Sequence, residues 1–264
     1  MKRFKSLGYY LLNPKLAISK IKFFLLKSKF NKKEIENKQN LIFNKLFLNR
    51  ISGLKKLKIL KNNNNLFYRD MSSEHEVLFS SLSIKNRKIK RILEIGTFDG
   101  INAFFLSEVF KKAKINTIDL PKNSEEFINS YNRSASISKF IKKRTKILSR
   151  SNNINFYEMN SLQLLYHKTK YDLIWVDGAH GYPVACIDII NSLRLINNNG
   201  LIVCDDVFIR LAKSDTMYNS IATYQTLESL KKAKMIKYTL IYKRLNVENI
   251  LNINNKYIAV IQKI

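Results

Sequence analysis

Residues 91–100 read RILEIGTFDG, and the thirteen that follow read INAFFLSEVFKKA. The first run is short and apolar, as a strand is. The second places Phe104, Phe105 and Val109 near one face of a helix. The order is therefore strand, glycine-bounded turn, helix. Gly96 and Gly100 let the backbone bend tightly and let a ligand approach it. The helix start offers free N–H groups. The spacing is E-x-G-x-x-x-G, not the G-x-G-x-x-G of dinucleotide binders. A turn carrying Glu94 and Asp99 suits a ligand with a cationic ammonium better than a pyrophosphate.

Further strand candidates lie downstream. KINTIDLP ends its apolar run at Asp119, about 20 residues after the first motif, the length of one strand–helix–strand unit. NINFYEMNS ends at Asn160 and Ser161. YDLIWVDGAH contains a continuous apolar run, typical of a parallel strand buried on both faces, with Asp177 at its end. Val184 to Ile196 carries a helical pattern that Pro183 opens and Asn199-Gly200 closes. LIVCDDV ends at Asp205 and Asp206, and YTLIYKRL and KYIAVIQKI form a terminal pair. Strands alternating with helices predict an α/β fold around a mostly parallel sheet.

LEIGTFDG resembles the first motif of class I S-adenosylmethionine-dependent methyltransferases. It is most similar to the EIGT-x-x-G form of their metal-dependent O-methyltransferases. The resemblance extends in order over residues 91–264. It implies a doubly wound, Rossmann-like sheet that ends in an antiparallel hairpin. It also implies S-adenosylmethionine as cofactor, held by Glu94, Gly96, Thr97, Gly100, Asp119, Asn160 and Ser161. Asp119 would accept hydrogen bonds from a ribose diol. Asn160 stands where the family more often has Asp, and its carbonyl oxygen would meet the adenine amino group. A helix opened by Ser72-Ser73-Glu74 would lie over the cofactor.

Asp177, Asp205 and Asp206 end adjacent strands, which lie about 4.8 Å apart, so they can converge on one point. Three converging carboxylates repel unless a cation joins them. Hard oxygen ligands favour Mg²⁺ or a similar divalent ion, which can chelate an acceptor's hydroxyls and acidify one. His180, three residues after Asp177, is placed as general base. In the family's catechol-type enzymes the base at this offset is lysine. In its macrolide-sugar type it is histidine, so the resemblance implies a sugar or a glycan or glycolipid precursor as acceptor. A reading of the aspartates as turn or helix caps, and of His180 as a loop residue, stays open here. His75 and His167 read as surface or packing residues, and Cys186 and Cys204 as small core residues.

The chain has 264 residues and a formal net charge of +27. Hydrophobic residues make up 45%, which excludes a mainly disordered chain. Two cysteines exclude a disulfide scaffold and a four-cysteine zinc site, and suit a reducing compartment. Residues 1–61 hold 17 Lys/Arg against 2 Glu, a net +15. They read as a basic, helical N-terminal arm. The asparagine run Asn62 to Asn65 reads as a linker to a catalytic domain, 62–264. Pro14, Lys15, Lys20 and Lys22 interrupt any signal-peptide core, so the expected location is cytoplasmic. Three readings of the arm stay open. It can reflect biased composition, lie on the anionic inner face of a membrane through LAISKIKFFLLKSKF, or bind nucleic acid. The leading function is O-methylation of a hydroxylated small molecule. The alternatives are a ribose methyltransferase acting on RNA and an inactive, membrane-docked cofactor-binding protein. Nothing in the pattern speaks to oligomeric state.

Overall fold

The computed structural model describes residues 30–67, 73–85, 88–130, 136–211, 215–251 and 255–264, with single positions 14, 18, 21, 24, 27 and 28. Helices α1 (Lys32–Lys45), α2 (Arg50–Asn63) and α3 (Glu74–Ile84) come first. Then follow β1 (Arg91–Ile95), α4 (Ile101–Val109), β2 (Lys114–Asp119), α5 (Glu125–Asn129), α6 (Ile137–Leu148) and β3 (Ile154–Glu158). A 3-10 turn (Ser161–Tyr166) leads to β4 (Tyr171–Val176), α7 (Val184–Leu195) and β5 (Ile196–Phe208). The chain ends with α8 (Ala222–Lys232), β6 (Ile236–Tyr242), α9 (Val247–Ile250) and β7 (Lys256–Lys263).

The strands form one seven-stranded sheet in the order β3-β2-β1-β4-β5-β7-β6. All neighbours from β3 to β5 pair in parallel, and β7 runs antiparallel between β5 and β6. This is the expected doubly wound α/β sheet with its antiparallel C-terminal element. Strand alternation sorts the core into two layers. Ile92, Leu173, Trp175 and Val203 face α3, α4 and the N-terminal helices. Leu93, Ile174, Val176 and Ile202 face α7 and α8. Asn199-Gly200 does not close α7. The helix stops at Leu195, because Ile196 is already paired with Tyr171 in the sheet.

The N-terminal helices share the core of the sheet. Phe43 and Leu57 are buried in the same cluster as Phe79, Trp175 and Ile258. Asn62 and Asn63 finish α2 instead of forming a linker, and Asn64 is its C-cap. The break expected at residue 62 therefore does not coincide with a break in packing. The tie is also polar. Arg50 Nε and Nη2 donate to the two carboxylate oxygens of Glu74, each at 2.7 Å, in a buried fork. Gln39 donates to the Tyr242 carbonyl at 3.1 Å and accepts from its N–H at 3.2 Å.

Removing one member of a buried ion pair leaves an uncompensated charge, which costs about 3–5 kcal/mol, whereas apolar replacement of both is often neutral. Arg50→Met is expected to lose stability on that scale in urea denaturation. The double variant Arg50→Met/Glu74→Met is expected to recover most of the loss. A double variant as weak as the single one would show that the pair itself, not the orphaned carboxylate, carries the effect.

Candidate active site

The strand order reverses between β1 and β4. Their following helices, α4 and α7, lie on opposite faces of the sheet. Open α/β sheets bind ligands in the crevice formed there, at the carboxyl ends of the strands. A cavity of about 380 Å³ occupies that place. Gly96, Asp119, Asn160, Ser161 and Asp177 line it, with Ile118, Met159 and Leu162 among its apolar wall.

Gly96 has φ +100°, and a Cβ there would lie 2.3 Å from the Asp177 carbonyl oxygen. Only glycine lets the β1 and β4 ends approach this closely. Gly100, the N-cap of α4, has φ +82° and packs against Leu148. Thr97 is buried and its hydroxyl meets that of Thr117 at 2.6 Å. Glu94 is also buried, away from the cavity lining. It accepts from Asn102 Nδ2 at 2.7 Å and from the Thr117 hydroxyl at 2.5 Å. Glu94, Thr97 and Gly100 thus build the turn beneath the cavity, and Gly96 forms its wall.

Asp119 is held at the cavity wall by three donors. These are the Phe98 N–H at 3.1 Å, the Leu120 N–H at 2.9 Å and Arg144 Nη1 at 3.2 Å. Arg144 is buried, with its guanidinium 4.4 Å from the centre of the Phe156 ring. The basic stretch Lys142-Lys143-Arg144 on α6 therefore turns one cation inward. Asn160 Oδ1 accepts the Leu162 N–H at 3.0 Å as the cap of the 3-10 turn, so one of its lone pairs is committed to the backbone. Asp188 on α7 was not singled out from the sequence. It lines the cavity, is fully buried, and its carboxylate oxygens have no hydrogen-bond partner among the described residues. Burial pushes its carboxyl up to about 7. Its signal in the sequence is faint: a lone acid in the apolar pattern of VACIDIINSL.

Asp205 and Asp206 converge on an ammonium. Lys243 Nζ lies 2.6 Å from Asp205 Oδ2 and 2.5 Å from Asp206 Oδ1. Lys256 Nζ lies 2.7 Å from Asp206 Oδ2. Successive strand residues normally point to opposite faces. Here the pairing of β5 with β7 slips between Cys204 and Val207, and Asp206 takes φ +47°. This bulge turns both carboxylates toward Lys243. A resident Mg²⁺ would have to bridge Asp205 and Asp206 at about 2.0–2.1 Å from their oxygens. The ammonium already fills that place, and two lysines balance the two carboxylates. Among the described residues, no group of three or more His, Cys, Asp or Glu could hold a metal ion. The expected metal set Asp177, Asp205 and Asp206 therefore does not fit a divalent ion while Lys243 stands there.

Asp177 has its carboxyl pushed well above the usual range, by burial first and then by the charge of Asp205. His180 Nε2 is 3.7 Å from Asp177 Oδ1. The N–H groups of His180 and Gly181 donate to the Met217 carbonyl at 2.8 and 2.9 Å, which fixes the loop. Burial lowers the imidazole below its ordinary 6.5, which favours the neutral form a base requires. His75 packs its ring 5.0 Å from that of Trp175, and burial pushes it down to about 4.

Residues 93–207 match the model of a methyltransferase domain family. No curated protein sequence matches the chain. Among solved structures, the chain resembles the O-methyltransferase TomG of Streptomyces achromogenes, involved in tomaymycin synthesis and solved with S-adenosylmethionine. Identity is 15%, coverage is 89% of this chain and 97% of that one, and the TM-score is 0.50. It also resembles cofactor-bound Rv0187 from MTB, at 16% identity, 80% and 88% coverage and a TM-score of 0.50. With its 3-2-1-4-5-7-6 sheet and the cavity at the switch point, the chain has the fold of these methyltransferases, and residues 93–207 carry their methyltransferase domain.

Two outcomes follow for this turn. Gly96→Ala is expected to weaken S-adenosylmethionine binding more than tenfold by calorimetry, since its Cβ would strike the Asp177 backbone. The second concerns Glu94, which burial pushes from 4.5 up to about 7. A carboxyl whose folded pKa exceeds its unfolded one holds its proton more tightly when folded, so its contribution to stability falls as pH rises from 4.5 to about 7. Glu94→Gln removes that fall. Relative to wild type, it is expected to gain roughly 3 kcal/mol between about pH 4 and pH 8 in urea melts. Parallel pH profiles for the two proteins would refute this.

Proposed function

We propose that this methyltransferase acts on a hydroxyl of a small molecule, a sugar or a glycan or glycolipid precursor, with His180 as general base. The observation that carries the reading is the meeting of the cofactor cavity with the Asp177–His180 pair at one strand end. Gly96, Asp119, Asn160 and Ser161 would hold S-adenosylmethionine, and Asp188 is the uncommitted acceptor for one of its amino groups. When bound, the cofactor supplies an electrophilic methyl group on a sulfonium. His180 Nε2 takes the proton of the acceptor hydroxyl as the oxygen–carbon bond forms and the carbon–sulfur bond breaks. The Met217 carbonyl fixes the loop that carries the imidazole. A histidine at the D-x-x-base offset supports a sugar hydroxyl over a catechol. The Mg²⁺-assisted form expected from the sequence would require Lys243 to leave its two carboxylates, and no step here passes through an ion.

The N-terminal residues support docking on an anionic membrane surface from the cytoplasmic side. Ile18, Ile21 and Phe24 are exposed at helical spacing, and the segment 1–61 carries the net +15. No helix among the described residues is long and apolar enough to cross a membrane. The triple variant Ile18→Ser/Ile21→Ser/Phe24→Ser is expected to lose flotation with anionic vesicles while keeping its melting temperature. Unchanged flotation would remove the membrane from this reading.

The catalytic proposal is tested by labelled methyl transfer to nucleotide sugars, glycolipid precursors, catechols and RNA. Label is expected in a sugar hydroxyl. His180→Ala is expected to lower kcat about 10²–10⁴-fold while S-adenosylmethionine affinity stays within about threefold. Label in RNA ribose, or full activity in the variant, would overturn it.

A further inference from the structure

We propose that the Lys243 ammonium is the permanent cation of this active site, standing where related folds use a divalent ion, so that the site is metal-free by construction. This rests on the reading of the site as a methyl-transfer centre. Topology places the residue. β6 runs parallel to β5, so Lys243, which follows its last residue, arrives at the carboxyl edge where the parallel strands end. β7 runs the other way, so its first residue, Lys256, starts from the same edge. Two lysines from one hairpin thus face two carboxylates from one bulged strand.

Lys243 is not a surface lysine that has folded over. It is 7% exposed, and its backbone is held on both sides. Its N–H donates to the Lys256 carbonyl at 2.9 Å, and its own carbonyl accepts the Glu74 N–H at 2.9 Å. The preceding residue, Tyr242, is clamped by Gln39, and Glu74 is clamped by Arg50. The ammonium is therefore delivered to a fixed point. An ammonium has three donors. Two are spent on Asp205 and Asp206, and the third suits the oxygen of an acceptor that enters beside His180. This supplies the charge and orientation of an ion, without the chelation of two hydroxyls that an ion performs. Asp205 Oδ1 is buried with no hydrogen-bond partner among the described residues, which leaves it able to accept a hydrogen bond from a ligand.

Metal binding can be read without any acceptor, so failure here is separable from failure of the methyl-transfer reading. The full chain would be titrated with Mn²⁺ alone and followed by electron paramagnetic resonance. Wild type is expected to bind no stoichiometric Mn²⁺ up to millimolar concentration. Lys243→Met, which frees Asp205 and leaves Asp206 paired only with Lys256, is expected to gain one Mn²⁺ site at least tenfold tighter, while S-adenosylmethionine affinity changes less than about threefold. One tight Mn²⁺ per wild-type chain, lost in Asp205→Asn, would overturn the proposal. A folded Lys243→Met protein with no gain in Mn²⁺ binding would also overturn it. If that variant does not fold, the wild-type titration with Asp205→Asn decides alone.

Discussion

A charge removed from water must meet an opposite charge, accept enough hydrogen bonds, or take up a proton. The carboxyl edge of this sheet buries Glu94, Asp188 and Asp205 and half-buries Asp177 within one region, and α3 adds the buried Glu74. Each has a different answer. Glu74 has the Arg50 fork. Glu94 has two hydrogen bonds and a raised pKa. Asp205 has Lys243, which holds its carboxyl well below the usual carboxylate range despite burial. Asp177, beside Asp205, is pushed the other way. Asp188 has no hydrogen-bond partner among the described residues and faces the cavity. The acids that remain incompletely answered are the ones at the ligand, as a site built to receive a cationic cofactor requires.

This constraint changes the meaning of the net charge of +27. Part of the basic excess is internal. Arg50, Arg144 and Lys243 are all nearly buried, and each faces an acid that the fold places at or near the strand ends. The N-terminal segment shows the same division. Arg50 points into the domain, whereas Lys32, Lys38 and Lys55 stay on the solvent side with exposed Leu41, Ile51 and Ile59. A segment can thus serve as structural support on one face and present a basic, apolar surface on the other.

The strands and turn were legible because their signals are local. RILEIG, LIWV and LIVC are apolar runs closed by glycine or acid, and such runs have few other uses in a chain of this composition. The order of the aspartates was legible for the same reason. Their counter-ions were not. Lys243 meets Asp205 across 38 residues, Arg144 meets Asp119 across 25, and Arg50 meets Glu74 across 24. In a chain with 47 Lys/Arg, nothing local distinguishes a lysine that will be buried from one that will be solvated. The bulge at Asp206 was equally hidden, since it arises from how β7 registers against β5, not from a residue at Asp206 that demands a left-handed backbone.

A divalent ion and a lysine solve the repulsion of Asp205 and Asp206 in different ways. An ion is mobile, exchanges with solvent and ties activity to its supply. A lysine on β6 is covalently present, but its position depends on everything that holds β6. In this chain that includes Gln39 on α1 and, through Glu74, Arg50 on α2. The N-terminal helices are therefore joined to the chemistry by a short, buried chain of contacts: Arg50 to Glu74, Glu74 to the Lys243 backbone, Lys243 to the two aspartates. Replacing an ion with a side chain transfers control of the site from metal availability to the packing of α1 and α2. It also gives those helices a reason to share the core of the domain instead of hanging from it as an arm.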